Sequence, residues 1–168
     1  MSILDLEPQI KTYHTTIPSP FPGGGSPAFV FHLTKMVDTL VIWVGTGTST
    51  AAASDPHQGD SGSASTGVVV GEKKLAGDWS VAMPSRGNIP VTATPIYRSG
   101  ASDIALPMSQ RLARKFPSNQ IHLSLSLPSS LTSQSGPNLD PYASKMLLVM
   151  EKKLGTWLDD ILKGQAAS

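Results

Sequence analysis

Apolar residues recur at every second position along much of the chain and at every third or fourth position in two later stretches, a pattern that predicts strands followed by helices. Ile10 to Ile17 alternates loosely and predicts a first strand, ended by Pro18, Pro20, Pro22 and the Gly23-Gly24-Gly25 run. Phe29, Phe31 and Leu33 alternate with Val30, His32 and Thr34. Val37-Asp38 interrupts, and Thr39 to Val44 resumes as an apolar run rich in branched and aromatic residues, so two strands joined by a tight turn are expected. Leu75 to Met83 carries Trp79, Val81 and Met83 on one face, and Val91 to Tyr97 follows the Ser85-Arg86-Gly87-Asn88 turn, which predicts another hairpin. Gln120 to Leu127 alternates cleanly, with Ile121, Leu123, Leu125 and Leu127 facing in and His122, Ser124 and Ser126 facing out.

Two segments switch to helical spacing. Ser102-Asp103 supplies a cap, and Ile104, Met108, Leu112 and Phe116 then form a stripe that stops before Pro117. Pro107 is tolerable there only within the first turn. Asp140-Pro141 predicts the start of a longer helix bearing Ala143, Leu147, Met150, Leu154, Trp157 and Ile161, with Gly155 as its weak point. A helix from Pro141 to Lys163 would run ~35 Å and must lie along a sheet. The expected fold is therefore α+β: about six mainly antiparallel β-strands packed with two α-helices, in the order β-β-β-β-β-α-β-α.

Composition adds loops to this picture. Of 168 residues, 14 are proline and 15 glycine, and the stretch 45–71 holds almost no large side chain, so a flexible insertion is expected there. Shorter disordered loops are expected near 18–27 and 129–140. The whole chain, 1–168, reads as one domain. A net charge of +1 gives no concentrated basic footprint for nucleic acid or an anionic membrane. The absence of cysteine excludes disulfides and thiol chemistry and fits the cytosol or nucleus, while no secretory leader or membrane-spanning stretch is read at the start or elsewhere.

Catalytic motifs tempt and fail. Gly59-Asp60-Ser61-Gly62 resembles the nucleophile segment of a serine protease, but His57 and Asp55 share its low-complexity stretch and nothing there can pre-organise a triad. Gly45-Thr46-Gly47 follows a strand without a helix whose N-terminus would hold a pyrophosphate. His14, His32, His57 and His122 are too far apart to read as a metal set. No enzyme, cofactor or metal is predicted.

Two features point instead to a protein partner. Leu40-Val41-Ile42-Trp43-Val44 offers large apolar groups to both sides of a sheet, so both sides need cover, either between a helix layer and another part of this chain's own sheet or, since two helices are few for two faces, against a second protein. Arg111, Arg114 and Lys115 crowd the end of the first helix, where they suit the helix dipole, a solvated face or a charged contact.

Together these segments resemble the proteasome assembly chaperone 4 family of eukaryotes. The resemblance is carried by FHLTKMVDTLVIWVG (31–45), LAGDWSVAMPSRGNIPVTATPIY (75–97), SDIALPMSQRLARK (102–115) and the Ile121 to Leu127 strand before a last helix. The three expanded loops are departures, fungal in style, and fall between elements where length is tolerated. The resemblance implies a small α+β chaperone that heterodimerises with assembly chaperone 3 and binds α-type subunits, notably the fifth, while the α-ring of the 20S proteasome forms. A generic adaptor or trafficking subunit of similar fold is the alternative. Under the chaperone reading, Phe31, Leu33, Val41, Trp43, Val81 and Met83 are expected at the dimer contact, and Arg86, Arg111, Arg114 and Lys115 against the proteasome subunit.

Overall fold

The computed structural model describes residues 10–18, 27–48, 69–70, 75–99, 102–132 and 142–166. Seven strands and three helices occur among them: β1 (Lys11–Ile17), β2 (Ala28–Met36), β3 (Thr39–Thr48), β4 (Val69–Val70), β5 (Asp78–Met83), β6 (Thr92–Arg98), α1 (Ala105–Lys115), β7 (Gln120–Ser126), α2 (Ser129–Thr132) and α3 (Ala143–Ala166). The strands form one mixed sheet in the order β1-β2-β3-β7-β5-β6, with β4 paired to the end of β3. Only β3 and β7 run parallel; every other described pairing is antiparallel. The expected α+β class and element order hold, with two short additions, β4 and the single turn α2.

Local chemistry explains the turns. Val37-Asp38 closes the β2–β3 hairpin as two residues between the Met36 and Thr39 pair, with Asp38 at φ 54°, a left-handed geometry that aspartate tolerates better than most residues. Gly87 (φ 56°) begins the two-residue turn inside the Arg86–Ile89 bridge, where a primed hairpin turn requires positive φ.

Period-two alternation sorts the sheet into two faces. Phe29, Phe31 and Leu33 of β2, Leu40, Ile42 and Val44 of β3, Ile121, Leu123 and Leu125 of β7 and Ala82 of β5 share one side and are essentially fully buried. Both long helices cover that side. Met108, Leu112 and Ala113 of α1 and Met146, Met150, Leu154 and Leu158 of α3 join the same core, and Trp157 meets Phe31 with ring centroids 5.9 Å apart. Each fully buried large side chain contributes about 1.5–3 kcal/mol.

Several expectations are corrected at this level. Ser102-Asp103 does not cap α1: the N-cap is Ile104, without a side-chain cap of its own. Asp78, from the start of β5, takes that role across the fold, its Oδ2 accepting hydrogen bonds from the backbone N–H groups of Ile104 and Ala105, both at 2.8 Å. Pro107 does sit in the first turn. The centre line of α3 runs through Met146, Met150, Leu154 and Leu158, leaving Leu147, Trp157 and Ile161 at its half-buried margin. The 45–71 stretch is not wholly insertion, since β3 continues to Thr48 and Val69–Val70 pairs back onto it. Likewise α2 opens the 129–140 stretch. Residues 19–26, 49–68, 71–74 and 133–141, with the Asp140-Pro141 helix start, lie outside the described residues.

Candidate partner-binding surface

The other side of the sheet is covered by no described helix. Cross-strand register lines its residues up in rows: His14, His32, Trp43, Ser124, Trp79 and Tyr97 follow one another from β1 to β6. The next row holds Thr12, Thr34, Val41, His122, Val81 and Thr94, and Met83 and Val30 flank them. The apolar members concentrate on β3, β5 and β6. Val41, Trp43, Trp79 and Val81 are half-buried, while Met83 is 41% and Tyr97 50% exposed. Ile96, which the register shift in the β5–β6 pairing leaves without a cross-strand partner, adds another exposed side chain.

Trp43 is fixed flat on this face. Its ring lies over Gly45, where a Cβ would come within 2.6 Å of Cζ2, so only a residue without a side chain permits the arrangement. The indole Nε1–H donates to the Leu75 carbonyl at 3.1 Å, and Ser124 Oγ donates to the same oxygen at 2.7 Å. A large aromatic surface is thereby held in one orientation before any partner arrives, which lowers the entropy cost of docking. His122 stands beside Val41 and Val81, and burial pushes its pKa below the ordinary 6.5. The Gln120 amide lies 3.1 Å from His122 Nε2, an arrangement that suits the neutral ring with its proton on Nδ1.

The sequence-predicted residues divide. Val41, Trp43, Val81 and Met83 do meet on the open face. Phe31 and Leu33 do not: both are 0% exposed under the helices, and a side chain enclosed by its own chain has no surface to offer, so their reading as dimer contacts is corrected to core. Arg111 is engaged internally, with Nε and Nη2 donating to the two Glu151 oxygens at 2.6 and 2.7 Å, a forked bond that raises its pKa and keeps it charged. Lys115 donates to the Gly155 carbonyl at 2.9 Å and pairs with Asp159. Arg114 is exposed and has no carboxylate partner among the described residues; Arg86 is exposed at the tip of the β5–β6 hairpin.

Trp79, Tyr97, Val30 and His122 belong to the face but were missing from the sequence-based set. For Trp79 a signal existed, its two-residue spacing from Val81 and Met83. For Tyr97 none did, because the shift in β6 displaces it from simple alternation. Of the tempting motifs, Gly45-Thr46-Gly47 lies within β3, and His57 with the Gly59-to-Gly62 segment lies outside the described residues.

No curated protein matches the chain. Among solved structures, it aligns with a chain from the crystal structure of a novel chaperone complex for yeast 20S proteasome assembly, with a TM-score of 0.49 and 16% identity over 93% of this chain and 97% of that one. A family model, proteasome assembly chaperone 4, matches residues 28–127. That match begins at the first residue of β2 and runs one residue past β7, so it takes in α1 and every strand of the open face except β1. With well over half of its 168 residues inside this match, the chain belongs to the proteasome assembly chaperone 4 family.

Proposed function

We propose that this chain acts without catalysis in assembly of the 20S proteasome, pairing with assembly chaperone 3 through its open sheet face. The pair then holds α-type subunits, notably the fifth, while the seven-membered α-ring is built in the cytosol or nucleus. The observation that carries this reading is the uncovered face itself. Trp43, Trp79, Val81, Met83 and Tyr97 form an apolar surface between polar margins, and an interface of this kind gains about 25 cal/mol for each Å² of apolar area removed from water. Membership of the family supplies the proteasome as the target. A chaperone of this type favours one order of neighbours over others, a task for shaped and charged surfaces that needs no reacting group.

The test is co-expression with a homologue of assembly chaperone 3. The wild-type chain is expected to elute as a 1:1 complex that captures α-type subunits from an extract. A Trp43→Asp, Val81→Asp variant, whose substitutions lie outside the helix-covered core, is expected to keep its helical circular dichroism and lose the complex. Equal pairing by that variant would overturn the assignment of the face, and a wild-type chain indifferent to assembly chaperone 3 would overturn the pairing.

A further inference from the structure

We infer that the groove between α1 and α3, on the opposite side of the molecule from the open sheet face, is a second docking surface, which takes an acidic segment bearing an apolar side chain from a partner polypeptide. The inference rests on the proposed function only in naming a proteasome subunit as the polypeptide that carries this segment.

The groove encloses about 510 Å³. Its floor is Leu112 and Gly155, and its wall is Leu148, which is 67% exposed in the second turn of α3. An exposed leucine alone means little, but this one stands over a concavity with charged side chains at its rim. Gly155 opens the space, since without a side chain α3 lets the Lys115 stem fold across to its carbonyl.

Charge decides what fits. Three cations, Arg111, Lys115 and Lys152, line the groove against one carboxylate, Glu151. Glu151 and Asp159 are already engaged by Arg111 and Lys115. Lys152, the remaining lining cation, is exposed and has no carboxylate partner among the described residues, so its charge is available to an incoming segment. Carboxylates placed among the cations, and a leucine at the centre, fit a polypeptide better than nucleic acid, which favours an unbroken row of cations. The Arg111–Glu151 and Lys115–Asp159 clamps hold the two helices at fixed spacing, so the groove is formed before docking.

The probe is a fluorescein-labelled glutamate- and leucine-rich peptide, measured by anisotropy against the full chain, both alone and paired with assembly chaperone 3. Binding is expected in both samples and should weaken as salt rises from about 0.05 to about 0.5 M, because rim charges are screened. A Leu148→Asp, Lys152→Glu variant changes two exposed side chains and is expected to bind the peptide at least about tenfold more weakly. Its melting temperature and its pairing with assembly chaperone 3 should be unchanged. Undiminished binding by the variant, equal binding of a lysine-for-glutamate peptide, or tighter binding of a short DNA duplex or phosphatidylserine vesicles would each overturn the inference. Pairing that survives while peptide binding fails would remove this groove alone and leave the proposed function standing; failed pairing with intact peptide binding would do the reverse.

Discussion

Gly45 is where one missing side chain shapes a surface. Alanine there would overlap the Trp43 ring at Cη2, and the relief available is for the indole to swing off the sheet, breaking its bond to the Leu75 carbonyl. Because the ring edge moves more easily than backbone, Gly45→Ala should cost only about 1–2 kcal/mol of stability in urea unfolding. Pairing with assembly chaperone 3 should fall much further, visible in titration calorimetry together with a red shift of tryptophan emission. Equal losses in stability and pairing would mean that the ring is merely structural. His122 adds a pH dependence with a definite sign. Its folded-state pKa lies below 6.5 through desolvation, so the unfolded chain binds the proton more readily. Its contribution is complete above the unfolded value and is lost as pH falls through 6.5 toward the folded value. Melts from about pH 8 to about pH 5 should show that slope, and His122→Gln should flatten it. A partner over the face deepens desolvation, so the slope should steepen in the complex.

Elements are joined by polar groups that no local pattern reveals. Asp78 belongs to β5 yet holds the N-terminus of α1, where an anion meets both unsatisfied N–H groups and the positive end of the helix dipole. Asp78→Ala strands those donors and should destabilise by about 2–3 kcal/mol in thermal or urea unfolding, while Asp78→Asn keeps an acceptor oxygen and should lose less than half of that. Sequence reading placed the cap at Ser102-Asp103 because capping rules look only along the chain, and Asp103 instead faces Arg98 at 2.9 Å. Gly155 shows the same limit. In sequence it is a defect in a helix; in the fold it is where Lys115 crosses. Alanine there would bring its Cβ to 3.1 Å from Lys115 Nζ, the free end of a flexible side chain that can withdraw by a few tenths of an ångström. The gain in helix propensity, about 1 kcal/mol, should therefore outweigh the strained contact, and Gly155→Ala is expected to raise the melting temperature. A lowered melting temperature would show that the bond from Lys115 to the Gly155 carbonyl outweighs propensity. Apart from β4 and the single turn α2, strand and helix identities were legible because they follow from periods of two and three to four. Which face of β2 was outward was legible too, in His32 and Thr34, whereas the placement of Phe31 and Leu33 at a contact overlooked that alternation.

At the scale of the whole molecule, what the pattern could not supply was register. β7, late in the chain, slides between β3 and β5, and this insertion brings Trp43, Ser124 and Trp79 into one row. A single sequence shows that β3 is apolar on both sides but not which strands flank it, so Val41, Trp43, Val81 and Met83 were legible as members of the face, whereas the rows that join them to Trp79, Tyr97 and His122 were not. The same register makes the central insertion testable. Thr48 and Val69 are antiparallel partners, so the two ends of the 49–68 stretch are already adjacent, and Asn-Gly can join them as a two-residue hairpin turn. Shortening a loop lowers the entropy lost on closing it, by up to about 2 kcal/mol for a tenfold change in length. Excision of 49–68 should therefore leave the melting temperature equal or higher, by a few degrees at most. Excision back to residue 45 should behave differently, since it also removes Thr46 and Gly47, the partners of Phe29 and Ala28 on β2. If the fold and the pairing with assembly chaperone 3 both survive the shorter excision, the recognition surface lies in the sheet; a lost pairing with an intact melt would move part of that surface into the excised segment, and the open face would then be an incomplete account of how the two chains meet.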